Sequence, residues 1–381
     1  MAVAKHIIFL VHGMGVYQKA SSDNLKRVDN DEWFKATQKN IEDAYNLYPN
    51  LKKREFGKHY KFVNINYDKY FDQLLANTSD TVKNLSIALP GVIPADVVDL
   101  FAKSKEIEDN FFWTHVVDVI LYKFLKGARR AIKAHVMAKI LREIFGPKSK
   151  PYVRPRSWSM VAHSLGTIVA HDAISGIQGE ALHSGYTKAM PPASIVAMIA
   201  NVIPPLAMDS FGEPYNEYMR PEGANSIVDN YLSCSHRLDP LVQAFPFSPS
   251  EWSHLLPGQE GGDGRFKYLP SLNHYRPDLL LDGSGKLSSF DELIPHSFQH
   301  YFSNPKVHLP LFFSMDPGFT MRNKAKNKAY REYEKDTDTT QREAIASLLD
   351  NLVSKELEEK DDKRLLEYWR KAFQLLEGAF K

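Results

Sequence analysis

The sequence predicts an α/β fold, a mostly parallel central sheet with helices on both faces. Three observations carry this reading. Short, unbroken apolar runs rich in β-branched residues recur along the chain, as strands buried on both faces of a parallel sheet require. Amphipathic helical patterns separate those runs, which implies βαβ crossovers. A length of 381 residues with 43% hydrophobic and 12% aromatic side chains supplies the apolar surface for a large core.

The elements follow in order. His6-Ile-Ile-Phe-Leu-Val-His12 reads as the first strand and ends at Gly13-Met-Gly15, and residues Asp31–Tyr48 read as a helix. Phe62-Val-Asn-Ile-Asn-Tyr67 alternates apolar and polar residues, as a half-covered strand does. A long helix comes next, with Val117, Ile120, Leu121, Phe124, Ala128, Ile132, Val136 and Ile140 on one face and Lys123, Lys126, Arg130 and Lys133 opposite. That basic face is either solvated or set against an anionic membrane surface. A third strand, Ser157–His163, leads into Ser164, and the helix after it repeats Ile168, Val169, Ala173, Ile174 and Ile177, with Gly176 and Gly179 as stop signals. Ala193–Val202 and Ser226–Ser235 read as further strands, the latter just before Asp239-Pro240.

Residues 204–225 and 246–290 are rich in Pro, Gly, Ser and Asn and read as lid or binding loops. From about Met321 charged helix formers dominate. Thr340-Gln-Arg-Glu343 has the capping-box pattern, and apolar stripes follow at 345–353 and 365–376. The organisation expected is a main domain over 1–320, with a helical insertion at about 70–146, and a charged helical extension over 321–381.

Composition narrows the function. Forty-eight Lys and Arg against 46 Asp and Glu leave a net charge of +2, too little for a protein built to neutralise phosphates, so no nucleic-acid partner is expected. The single cysteine, Cys234, excludes an intrachain disulfide framework and a Cys-based zinc cluster. No His or carboxylate pair has metal-ligand spacing, so neither metal nor cofactor is expected. No apolar run reaches the roughly 20 residues that span a bilayer. Met1–Gly15 reads as a strand rather than a signal peptide, so the expected compartment is the cytoplasm.

The chemistry concentrates at Ala162-His-Ser-Leu-Gly166, a G-x-S-x-G elbow with Ala in place of the first Gly. Such a turn between strand and helix lifts a serine hydroxyl clear of the sheet. Small residues are needed two before and two after it, because neighbouring backbones come close. An apolar strand runs in and an apolar-periodic helix runs out, which is the context that the motif demands. The plainer role for Ser164 is a helix cap. His12-Gly-Met-Gly15 ends the first strand, where a backbone N–H can turn inward; the Met14 and Leu165 amides are the expected oxyanion donors, supported by His12, Gly13, Gly15, His163 and Gly166. A plain glycine turn is the alternative. A serine also needs a base and a group that orients the base. His254, His274, His296, His300 and His308 are open as bases. Asp239, after a strand and before Pro240, stands out as the acid, ahead of Asp229 and Asp209.

Val11-His-Gly-Met-Gly15, Ala162-His-Ser-Leu-Gly166, Asp239-Pro240-Leu-Val and His296-Ser-Phe-Gln-His-Tyr-Phe-Ser-Asn-Pro-Lys-Val307 together resemble the α/β-hydrolase superfamily, and within it the lipase- and esterase-like members. The resemblance spans roughly residues 5 to 315 in motif order. It implies Ser164 as nucleophile, Asp239 as acid and His296 as base, with His300 in reserve. It implies a serine hydrolase acting on small-molecule or lipid carboxylic esters. A thioesterase or amidase with the same triad, or a non-catalytic scaffold that keeps the fold, are the alternatives.

Overall fold

The computed structural model of the protein describes residues 5–13, 17–21, 24–27, 30–71, 122, 126–146, 157–186, 190–203, 217–221, 223–236, 242, 247, 265–272, 296–316 and 318–338. The expected stripes at 345–353 and 365–376, most of both expected lid regions, and most of the insertion before residue 126 lie outside these residues.

Strand β1 (His6–Val11) is followed by an antiparallel hairpin, β2 (Tyr17–Ser21) and β3 (Asn24–Arg27). Helix α1 (Asp31–Asn46), the short helices α2 (Pro49–Lys52) and α3 (Phe56–His59), and β4 (Tyr60–Ile65) come next. After α4 (Lys126–Phe145), β5 (Trp158–His163) runs into α5 (Leu165–His183). Then come β6 (Val196–Ile199), β7 (Tyr231–His236), β8 (Phe266–Leu272), α6 (Phe298–Phe302), α7 (Pro305–Met315) and α8 (Asn323–Asp338).

Six strands form one sheet in the order β4-β1-β5-β6-β7-β8, and every neighbouring pair is parallel. Each residue of β1, β5, β6 and β7 is buried, which is why strongly apolar stretches mark β1 and β6, while β5 and β7 also bury serines and a histidine. β4 lies on an edge and alternates. The chain steps from β1 to β4 on one side, then returns past β1 to β5 on the other. Right-handed crossovers therefore send α1 to one face and α4 and α5 to the other. The packing agrees: α1 meets α6 and α7, while α4 meets α5.

Several features depart from the sequence reading, beginning with β4, which runs over Tyr60–Ile65 rather than Phe62–Tyr67. β6 is shorter than 193–202 and β7 begins at Tyr231 rather than Ser226, because the Ser226 hydroxyl bonds the Tyr218 and Val228 carbonyls and holds a turn. The region 246–290 is not all loop, since it contains β8. Pro270 within that strand concealed it, and an edge strand tolerates proline. Gly176 and Gly179 do not stop α5, which continues to His183. Every residue from Leu165 to Gln178 is buried, enough to offset the roughly 1 kcal/mol that a helical glycine costs. At Gly176 the helix meets α4 so closely that an added Cβ would lie 2.7 Å from Lys133 Nζ and 3.2 Å from Met137 Sδ. Lys133 thus lies along the α4–α5 contact and not on a fully solvated face. Ile132, Val136 and Ile140 are buried as expected, and beside them Arg129 donates to Asp172 on α5 at 2.7 and 3.0 Å.

The core also contains neutral imidazoles. His308 on α7 donates Nδ1–H to the Phe302 carbonyl (2.8 Å) and accepts the Tyr48 hydroxyl at Nε2 (2.6 Å). Burial pushes its pKa down to about 4, and does the same to His171 on α5 and His6 at the start of β1. An unfolded chain protonates each near pH 6.5, whereas the folded chain waits until about 4. Between those values the unfolded state binds more protons, so stability falls as pH falls. The contribution is complete above pH 6.5 and amounts to roughly 3 kcal/mol per histidine at its limit. Tm measured from pH 7.5 down to pH 4 is expected to drop continuously below about 6.5; a flat profile would contradict the buried neutral rings.

Candidate active site

Register brings three strand ends level. Val11 pairs with both Ala162 and Ile65, and His163 pairs with Ile199. His12-Gly13, His163-Ser164 and Asn66-Tyr67-Asp68 therefore leave adjacent strands side by side at the C-terminal edge of the sheet. The order reverses between β1 and β5, and in open parallel sheets the crevice at such a reversal is where ligands bind.

Ser164 occupies the turn between β5 and α5 with φ 54° and ψ −129°. A non-glycine residue with positive φ is strained and persists only where its surroundings hold it. Here its N–H donates to the Ile199 carbonyl (3.0 Å), and its own carbonyl accepts from the Thr167 N–H (2.8 Å) and hydroxyl (2.7 Å). The Thr167 oxygen accepts in turn from the Val202 N–H (3.2 Å). Two glycines permit the close approach. A Cβ on Gly166 would come within 2.6 Å of the Val11 carbonyl and closer still to that of His12; one on Gly13 would lie 2.8 Å from the Ser164 Cβ.

The Ser164 side chain does not cap α5. Its hydroxyl oxygen lies 2.6 Å from His296 Nε2, and both residues are buried. A hydroxyl that donates there needs the ring proton on Nδ1. His163, expected among the residues that support the oxyanion donors, donates Nε2–H to the His296 carbonyl at 2.6 Å and so fixes the main chain of that residue. The His163 ring stacks on Trp33 of α1, with centroids 6.1 Å apart. Ser297 caps α6 just beyond, and the Tyr301 hydroxyl accepts the His236 N–H (2.8 Å), tying α6 to the end of β7.

Of the other expected residues, His300 sits in α6, where its N–H donates to the Ser297 side chain. His308 belongs to the core described above. Asp229 precedes β7, at the sheet end opposite Ser164, and its N–H donates to the Ala193 carbonyl. Asp239 follows the last residue of β7, His236, by three positions, but it lies outside the described residues, as do Asp209, His254, His274, Met14 and Gly15. Leu165 opens α5, so its amide is among those that a helix leaves without an intrahelical partner. Thr167, Tyr67 and Asp68 were missed by motif reading. Tyr67 and Asp68 could have been found from their place at the end of the strand read over 62–67, just past β4.

Among the described residues, no cluster of three or more His, Cys, Asp or Glu could hold a metal ion, and no helix is long and apolar enough to cross a membrane. The fold and site thus define an α/β protein with an open, all-parallel six-stranded sheet and a buried serine–histidine contact at its C-terminal edge. Comparison with protein-family models, curated proteins and solved structures finds no match to this chain.

Proposed function

We propose that the protein is a serine hydrolase of the α/β-hydrolase kind that cleaves carboxylic esters, lipid esters among them, through an acyl-enzyme. One observation carries the reading: a serine on a strained strand-to-helix turn with its hydroxyl 2.6 Å from a buried imidazole. A serine hydroxyl is a weak nucleophile until a base takes its proton. His296 Nε2 accepts that proton as Oγ attacks the acyl carbonyl, then returns it to the departing alcohol. The same nitrogen activates the water that releases the acid. Asp239 orients the ring and stabilises the imidazolium, and the amides of Met14 and Leu165 receive the oxyanion. The choice of esters follows the family resemblance.

A short-chain p-nitrophenyl ester tests this, with matched thioester and anilide substrates beside it. The wild type is expected to hydrolyse the ester fastest, and Ser164→Ala to lower kcat/KM by about a thousandfold or more. Equal rates for the two proteins would overturn the proposal.

A further inference from the structure

We infer that Tyr67 is a positioning residue of the oxyanion loop, clamping the peptide carbonyls of His12 and Gly13 so that the amide after Gly13 is held in one orientation. The inference rests on the hydrolase reading above. The Tyr67 hydroxyl lies 2.7 Å from the His12 carbonyl and 2.9 Å from the Gly13 carbonyl, sharing one proton between two successive peptides. The Gly13 carbonyl is also 2.7 Å from His12 Nδ1. A carbonyl brings no proton, so the ring must carry one on Nδ1. Asn30 Nδ2 lies 3.1 Å from that same nitrogen and, with a proton already there, does not donate to it; one of its two hydrogens goes to Asp68 Oδ2 at 2.7 Å.

The ring of His12 is fixed on every side. It stacks on Tyr67 with centroids 4.1 Å apart and planes 14° apart, and it meets Phe34 edge-on at 5.5 Å. Its Nε2 faces the Tyr67 N–H at 3.5 Å and Asp68 Oδ1 at 3.6 Å. All these residues, Gly13 included, are buried. The consequence follows from peptide geometry. In a planar trans peptide the N–H points away from the C=O, so two donors on the Gly13 carbonyl fix the direction of the next amide. Glycine alone would leave that plane free to turn. Gly13 is also the residue whose missing Cβ lets this loop lie against Ser164. A donor held before reaction needs no reorganisation when negative charge develops, which is the source of oxyanion stabilisation.

Tyr67→Phe keeps the stacked ring and removes only the clamping hydroxyl. We expect kcat for the p-nitrophenyl ester to fall about tenfold or more, part of the hundred- to thousandfold that a whole oxyanion donor supplies, with KM within about twofold. Amides of residues 12–15 should exchange with deuterium faster, and nitrogen NMR of the wild type should find the His12 proton on Nδ1. Unchanged kcat with unchanged exchange, a loss expressed only in KM, or a His12 proton on Nε2 would overturn the clamp. If the variant does not fold, the wild-type tautomer decides. A wild type that neither hydrolyses esters nor reacts at Ser164 would remove the hydrolase reading, while exchange and tautomer would still judge the clamp.

Discussion

Replacing His296 with alanine is expected to lower ester kcat/KM by about a hundred- to ten-thousandfold, the span that a positioned general base supplies. The expectation comes from distance and burial together. Nε2 lies 2.6 Å from Oγ and both residues are buried, so among the described residues His296 is the group placed to take that proton. His300→Ala is the discriminating partner experiment. His300 is four positions away and equally buried, but it lies within α6, where its N–H donates to the Ser297 cap and its carbonyl accepts from the Ser303 hydroxyl. Its loss should leave kcat/KM within about fivefold, a change that slight repacking of a short helix explains. The reverse pattern, with His300→Ala the more damaging, would move the base to the reserve candidate. Because His163 bonds the His296 carbonyl, the alanine variant keeps the local main chain held, and the loss reads as chemistry rather than collapse.

Gly166→Ala is expected to cost about 3 kcal/mol or more in urea unfolding and to abolish ester hydrolysis, the upper end of what overpacking does. The reason lies in which atoms obstruct the methyl group. The new Cβ would overlap the carbonyls of Val11 and His12, and these belong to the end of β1, a strand paired on both sides. Backbone in the middle of a sheet cannot swing away as a side chain can, so the elbow itself must move. Gly57→Ala provides the control. Nothing lies within 4 Å of the Cβ it would add and Gly57 is helical, so the change should be neutral or stabilising by up to about 1 kcal/mol. A Gly166→Ala protein with wild-type stability and rate would show that the close approach of elbow and β1 is unnecessary.

Much of the fold was legible because burial on both faces of a parallel sheet leaves a plain mark. β1 and β5 could be read almost to the residue. β8 could not, since an edge strand accepts Pro270 and lies beyond a glycine-rich stretch that reads as loop. The two glycines in α5 misled for a physical reason: helix propensity is a weak local preference, and burial against α4 overrode it. At the site, Ser164 and His296 could be reached through motif and resemblance, but spacing alone left five histidines equivalent. Only the three-dimensional path of the chain brings residue 296 back to residue 164. The supporting groups were harder still. Thr167 and Tyr67 act through hydroxyls on main-chain carbonyls, and no sequence pattern distinguishes such a hydroxyl from an ordinary buried one.

The most direct measurement is a peptide map of the folded wild-type protein after reaction with a fluorophosphonate. One phosphonyl adduct is expected, on the peptide that contains Ser164, formed far more slowly when His296 is alanine. A folded protein that takes no adduct, or takes it on a different serine at the same rate in both proteins, would contradict the hydrolase reading.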